Sequence, residues 1–219
     1  MSVTIPSQNM IPAESREAYG FKTKMGYAQT LGGVIYAQYG ASDAVASSTT
    51  ETTLLKSSAG SIGSLIIPAG ALASQYGLST GSATGAGTHI RARLSGLIGN
   101  TSTPTIELKA TLTAMDGTTV TTLNDTGAIA TAAITTGFWS LDWNCWVTAY
   151  SSTAGSFLSD LKFWYSTTTS ASATLSEGPT ATSSFDTTAP YTLNFTVTWG
   201  TSSASNTITT KGVLIEMVN

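Results

Sequence analysis

Apolar and polar residues alternate along most of this chain of 219 residues. Alternation with a period of two is the pattern of a β-strand that buries one face. The longest such run covers residues 138–150, and another covers 191–199. We expect the core to contain the apolar residues that share one side of these two strands, namely Trp139, Leu141, Trp143, Leu193, Phe195 and Val197.

Shorter runs of the same kind predict further strands at 34–39, 64–68, 88–98, 105–113, 118–123, 157–167 and 212–218. Asp116-Gly117 separates two of these runs, and this dipeptide is a strong signal for a tight β-hairpin. Long polar stretches at 77–88, 168–188 and 200–206 are predicted to be connections. Eight to ten antiparallel strands with long crossings favour a jelly-roll-like β-sandwich over residues 34–219. The chain lacks the two cysteines of an immunoglobulin domain.

Residues 1–33 differ from the rest of the chain and are predicted to form an extended N-terminal arm. They hold five of the 21 charged residues and show little alternation. We expect the arm to dock on a neighbouring protein, because its apolar side chains have no strand of their own to bury them. A disordered terminus and an arm packed on its own domain are the alternatives. The apolar side chains are Ile5, Met10, Ile11, Tyr19, Phe21 and Met25.

Composition narrows the classes of function. Charged residues make up 10% of the chain, against about 25% in ordinary soluble domains, whereas 29 Ser and 40 Thr supply a hydroxyl-rich surface. A net charge of −3 argues against a nucleic-acid binder, which needs clustered Lys and Arg. The first twelve residues lack the pattern of a signal peptide, and no apolar run reaches the length of a membrane helix. We therefore expect no nucleic acid and no membrane as partners.

Residues that carry chemistry are few and scattered. The chain has one histidine, His89, and one cysteine, Cys145, which rules out a multi-histidine metal site and an internal disulfide. Residues 77–81 match G-x-S-x-G, but the glycine-rich sequence that follows cannot form the helix which that motif requires. A glycosidase needs two carboxylates across one bond, and Asp142 with Asp160 on neighbouring strands is the pair that the sequence leaves open. Solvent-facing residues that keep strand edges soluble are the favoured interpretation. We therefore expect no enzyme, no catalytic residue, no cofactor and no metal.

Trp146 is the aromatic residue that most strongly suggests an interaction surface. It falls on the side of its strand that also carries Asp142 and Asn144, opposite to the predicted core side. An exposed aromatic among polar side chains suits either a subunit interface, where aromatics are enriched, or a sugar-binding platform. Packing within a second core is the third interpretation. Interface or core is favoured over sugar binding.

Six ordered stretches carry a resemblance to a known family. They are TTETTLL at 49–55, SLIIPA at 64–69, IRAR at 90–93, DTGAI at 125–129, FDTT at 185–188 and WGTSSASNTI at 199–208. In this order they resemble virion structural proteins of tailed bacteriophages that contain Ser/Thr-rich β-sandwich domains. The resemblance covers residues 34–219.

The resemblance implies a non-enzymatic virion protein, assembled in the host cytoplasm. We expect a capsid decoration (cement) protein that forms a homotrimer, binds the major capsid protein or another virion protein on the outside of the head, and stabilises it. The chain contains no coiled-coil or repetitive shaft of the kind found in long fibres. A tail-associated module that binds a host-surface glycan is the alternative, and a polysaccharide depolymerase is a further one. The family supplies no catalytic residues.

Overall fold

The computed structural model describes residues 33–40, 44–55, 65–72, 88–115, 117, 119–166 and 172–218. This part of the chain contains strands and no helix. In chain order the strands are β1 (Gly33–Tyr39), β2 (Val45–Ala46), β3 (Thr52–Thr53), β4 (Leu65–Ile67), β5 (His89–Asn100), β6 (Thr105–Ala114), β7 (Val120–Asp125), β8 (Ile129–Ala130), β9 (Ile134–Ala149), β10 (Gly155–Ser166), β11 (Ser172–Phe185), β12 (Tyr191–Trp199) and β13 (Thr207–Val218).

The strands form two antiparallel sheets that pack face to face. The first, here called sheet A, has the order β1-β13-β5-β9-β10-β11, with β2 paired to β13. The second, sheet B, has the order β3-β12-β6-β7, with β4 paired to β12 and β8 paired to β6. The predicted all-β antiparallel sandwich is therefore confirmed.

The outer strand pairs of the two sheets are nested along the chain. β5 pairs with β13 in sheet A while the next strand, β6, pairs with β12 in sheet B. Early strands therefore pair with late ones in both sheets. Inside this arrangement the connections are local, because β6 and β7 form a hairpin and β9, β10 and β11 form a meander. Long-range pairing thus closes the sandwich around two locally formed units.

The core lies between the sheets and is built from the alternating apolar sides of the strands. All six residues predicted for it are fully buried. Trp143 of sheet A meets Phe195 of sheet B edge-on, with ring centroids 5.3 Å apart. Trp139 donates its indole N–H to the carbonyl oxygen of Thr209 across Gly96. A Cβ at Gly96 would overlap both partners, so the indole contact requires glycine there.

Each of the nine predicted strands corresponds to an observed strand, whereas the short strands β2, β3 and β8 and the long strand β11 were not predicted. The predicted connection at 77–88 lies outside the described residues except for Thr88. The hairpin at Asp116-Gly117 is confirmed by the pairing of β6 with β7, although Asp116 itself lies outside the described residues. The predicted connection at 168–188 is wrong, because β11 occupies most of it. β11 is an edge strand rich in Ser and Thr, so no alternating apolar face marked it in the sequence. Of the predicted arm, residues 1–32 lie outside the described residues, and Gly33 already belongs to β1.

Candidate interaction surfaces

The outward face of sheet A carries a mixed group of charges, here called the charged belt. It comprises Arg91, Arg93, Asp142, Asp160, Lys162 and Glu216, three cations and three anions. Strand register sets them in two rows: Glu216, Arg91 and Asp160 fall in one, and Arg93, Asp142 and Lys162 in the next. Alternating signs on neighbouring strands favour this register.

One contact within the belt is a direct ion pair. Arg93 Nε lies 3.1 Å from Asp142 Oδ1, and both side chains are about half exposed. Exposed pairs of this kind contribute little to stability. In contrast, Oδ1 of Asp160 is buried and has no hydrogen-bond partner within the described part of the chain. The centre of this face therefore carries charges of both signs in equal number.

An aromatic pair stands at one end of the belt. Trp146 of β9 lies directly opposite His89 of β5, and the two rings stack with centroids 4.8 Å apart and planes 8° from parallel. His89 Nε2 lies 3.3 Å from Asn144 Oδ1. Because the amide oxygen only accepts, Nε2 is the donor in this contact. One face of Trp146 is thus occupied by His89, and 38% of the residue stays exposed.

A second aromatic pair stands at the other end of the same face. Phe138 and Trp164 lie on adjacent strands with ring centroids 5.5 Å apart. Leu97 on β5 is the cross-strand partner of Phe138 and is also exposed. We did not single out Trp164 from the sequence. Trp164 comes two residues after Lys162 and therefore lies on the same, outward side of β10. This spacing could have identified it.

The outward face of sheet B is dominated by hydroxyl groups, and we call it the hydroxyl face. Its residues include Thr192, Asn194, Thr196 and Thr198 of β12, Thr111 and Thr113 of β6, and Thr122 of β7. Several side chains bond to one another across strands. Thr53 Oγ1 donates to Asn194 Oδ1 at 2.6 Å, and Thr196 Oγ1 donates to Glu51 Oε1 at 2.8 Å. These two bonds hold the side chains of Asn194 and Thr196 against β3 and the residue before it.

Charge on the hydroxyl face is gathered around one lysine. Lys109 Nζ lies 3.2 Å from Glu107 Oε1 and 3.3 Å from Asp125 Oδ2. Partial burial alone would lower the pKa of Lys109, but the hydrogen bonds and charges of the two carboxylates outweigh it and raise that pKa. The lysine is therefore held in its charged form between two acids.

The opposite end of the hydroxyl face is apolar. A single cross-strand row runs from Ile66 through Thr192 and Thr113 to Val120. Ile66 is 57% exposed and Val120 is 59% exposed, and Met115, just beyond the end of β6, is exposed as well. Three of the large apolar side chains that the structure leaves in water thus gather at one end of one sheet.

The residues predicted from the sequence as an interaction face do lie together. Trp146, Asp142 and Asn144 alternate along the outward side of β9. The second-core interpretation of Trp146 does not fit, because the residue is exposed. Each residue has a neighbour on the same face: His89 stacks on Trp146 and contacts Asn144, and Arg93 pairs with Asp142. The predicted docking residues of the arm, Ile5, Ile11, Tyr19, Phe21 and Met25, lie outside the described residues.

The one histidine and the one cysteine lie on opposite faces of sheet A, because His89 contacts the outward Trp146 and Asn144 whereas Cys145 lies in the core. Cys145 is buried, and burial, followed by repulsion from Asp160, raises the pKa of its thiol far above the usual range. Among the residues that the structure describes, no group of three or more His, Cys, Asp or Glu could hold a metal ion. An open depression of about 470 Å³ near Asn100 and Thr135 is lined by uncharged residues only. Within the described ranges, no helix is long and apolar enough to cross a membrane.

The chain matches no protein-family model, and no curated protein matches it.

Proposed function

We propose that this protein is a non-enzymatic structural protein of a bacteriophage virion. In this proposal it is a decoration (cement) protein that binds the outside of the head as a homotrimer and stabilises the shell. Its partners are other copies of itself and the major capsid protein. The proposal draws on the resemblance of residues 34–219 to phage virion proteins and on the chemistry of the two sheet faces.

The observation that supports it most is the hydroxyl face of sheet B. Stable interfaces are depleted in charge at their centres, because an unpaired buried charge is costly. The hydroxyl face meets this condition, since its charges are confined to the end around Lys109 while Ile66 and Val120 are exposed at the other end. We assign the contact between subunits to this face. The charged belt would then remain on the solvent side.

Two variants test the assignment. Val120→Asp adds one negative charge at the proposed interface. Lys162→Asp changes the charge on the belt by two units and serves as the control. Sedimentation of the purified protein at micromolar concentration should show a trimer that Val120→Asp dissociates and Lys162→Asp preserves. A trimer that persists in Val120→Asp would contradict the proposal. So would an unmodified protein that is monomeric and does not bind phage heads from which the protein has been removed.

The second candidate function is binding of a host-surface glycan, and the exposed Trp146 favours it. Aromatic rings beside amide and carboxylate groups suit recognition of a sugar. His89 covers one face of Trp146, which leaves less ring surface for stacking on a sugar. Titration with host polysaccharide, read by tryptophan fluorescence and repeated with Trp146→Ala, decides between the two functions. Saturable quenching that disappears in the variant would favour the glycan-binding module.

A further inference from the structure

An apolar cleft opens between the two sheets at one edge of the sandwich. It has a volume of about 250 Å³, and its lining includes Val34, Ile35, Leu65, Ile66, Pro68 and Met217. All of the lining residues are apolar. Val34 and Ile66, which lie on the two sides of the cleft, each expose more than half of their surface. Exposed apolar surface gathered in a concave site marks a place where another apolar group binds.

The cleft lies where both sheets end. Within the described residues, β1 pairs only with β13, and β4 pairs only with β12. These are edge strands, so the space between them is open to a segment that approaches from outside the sandwich. Proteins commonly protect such edges by covering them with a further piece of chain.

The chain itself supplies a segment at this position. The described structure begins at Gly33, the residue before Val34, and 32 residues precede it. Gly33 has a φ of 120°, and a Cβ there would meet nothing within 4 Å. A glycine at this position permits a sharp change of chain direction immediately before Val34. The nearest apolar residues upstream are Leu31, Tyr27 and Met25.

We propose that residues 1–32 dock in the cleft of the same molecule, with apolar side chains from the part nearest Gly33 packed against Val34 and Ile66. The segment is tethered at the rim, so its effective concentration at the cleft is higher than that of a segment from another molecule. This inference goes beyond the proposed function, because it concerns the free protein and needs no particle. On a virion, the capsid surface and the cleft would compete for the same segment.

Limited digestion with trypsin tests the docking in the full chain. Arg16, Lys22 and Lys24 provide cleavage sites within the segment. Ile66→Asp places a charge in the cleft and should raise the rate of cleavage at these sites several-fold above the rate in Val120→Asp. Val120→Asp disturbs the same proposed contact between subunits but does not line the cleft, so it measures the effect of dissociation alone. Leu97→Asp is the control that should leave the rate unchanged, because Leu97 is exposed on sheet A outside both sites. Equal cleavage rates in Ile66→Asp and Val120→Asp would overturn the proposal.

A fluorescent label provides a second measurement. The native cysteine is buried, so Ile66→Cys creates a single accessible thiol for an environment-sensitive dye. The emission should be blue-shifted in the full chain relative to a chain that begins at Gly33, and the shift should not depend on protein concentration. A shift that grows with concentration would assign the cleft to a second copy. An identical spectrum with and without residues 1–32 would show that these residues do not cover it. Either result contradicts docking within one molecule.

Discussion

A buried amide joins the two sheets at one corner of the sandwich, and its removal gives the sharpest test of the packing. Asn124 of β7 accepts a hydrogen bond from the indole N–H of Trp143 on β9 at 2.7 Å. Its own N–H₂ group reaches the carbonyl oxygen of Ser159 and the hydroxyl of Thr180, both at 3.4 Å. Asn124 and Trp143 are both fully buried, so water cannot replace either partner.

Asn124→Ala should therefore lower the free energy of unfolding by about 1–3 kcal/mol, because it leaves the Trp143 N–H buried without an acceptor. Trp143→Phe removes the same bond from the other side. The double variant should be less destabilised than the sum of the single ones, with a coupling energy of about 1 kcal/mol. Urea denaturation followed by circular dichroism measures all four proteins.

Asn194→Ala is the matched control for this experiment. Asn194 also makes one short hydrogen bond, with Thr53 Oγ1 at 2.6 Å, but it lies half-buried on the hydroxyl face. Water can take the place of the lost group there, so the change should cost less than about 1 kcal/mol. Additive single effects, or an Asn124→Ala variant as stable as the unmodified protein, would refute the proposed role of the bond and the placement of β7 against sheet A.

Three further predictions follow from burial. Phe195→Ala should lower the free energy of unfolding by about 3–5 kcal/mol, whereas Phe138→Ala, on an exposed face, should cost less than about 1 kcal/mol; similar urea midpoints would show the register to be wrong. Arg93→Ala should change stability by less than about 1 kcal/mol, because its ion pair is exposed, and a larger loss would contradict that. Cys145 should react with a thiol reagent only in urea, because its thiol is buried. The free energy of unfolding should decline above about pH 8.5, because the unfolded chain releases a thiol proton that the folded chain retains. This decline should be smaller in Cys145→Ala. Rapid labelling of the native protein would refute this last prediction.

The strands that could be predicted are those whose two faces meet different environments. Tyr191–Trp199 was located to the residue, since one side of β12 is apolar and the other is Thr and Asn. β11 was missed, because a strand at the edge of a sheet can be polar on both sides. Its register also shifts where Gly178-Pro179 lies opposite Asp160. Proline lacks an N–H group and glycine weakens strand propensity, so both residues favoured a loop when the sequence was considered alone.

The candidate surfaces were predictable only in part, for a similar reason. Strand parity places Trp146, Asp142 and Asn144 on one face, but parity cannot show which strand lies beside them. The partners came from pairing between distant strands, as with His89 on β5 and Trp146 on β9. The three Asn-X-Ser/Thr sequences in the chain illustrate the same limit. Asn100 and Asn124 are buried and hydrogen-bonded in the core region, which excludes glycan attachment to them in the folded protein.

The central claim is that this protein decorates a phage head, and its copy number in the particle tests that claim most directly. Densitometry of purified virions, separated by gel electrophoresis, compares its band with that of the major capsid protein. A decoration protein should be present in a number of copies close to that of the major capsid protein. A few to a few dozen copies per particle would assign it to the tail instead, and its absence from the particle would contradict the account altogether.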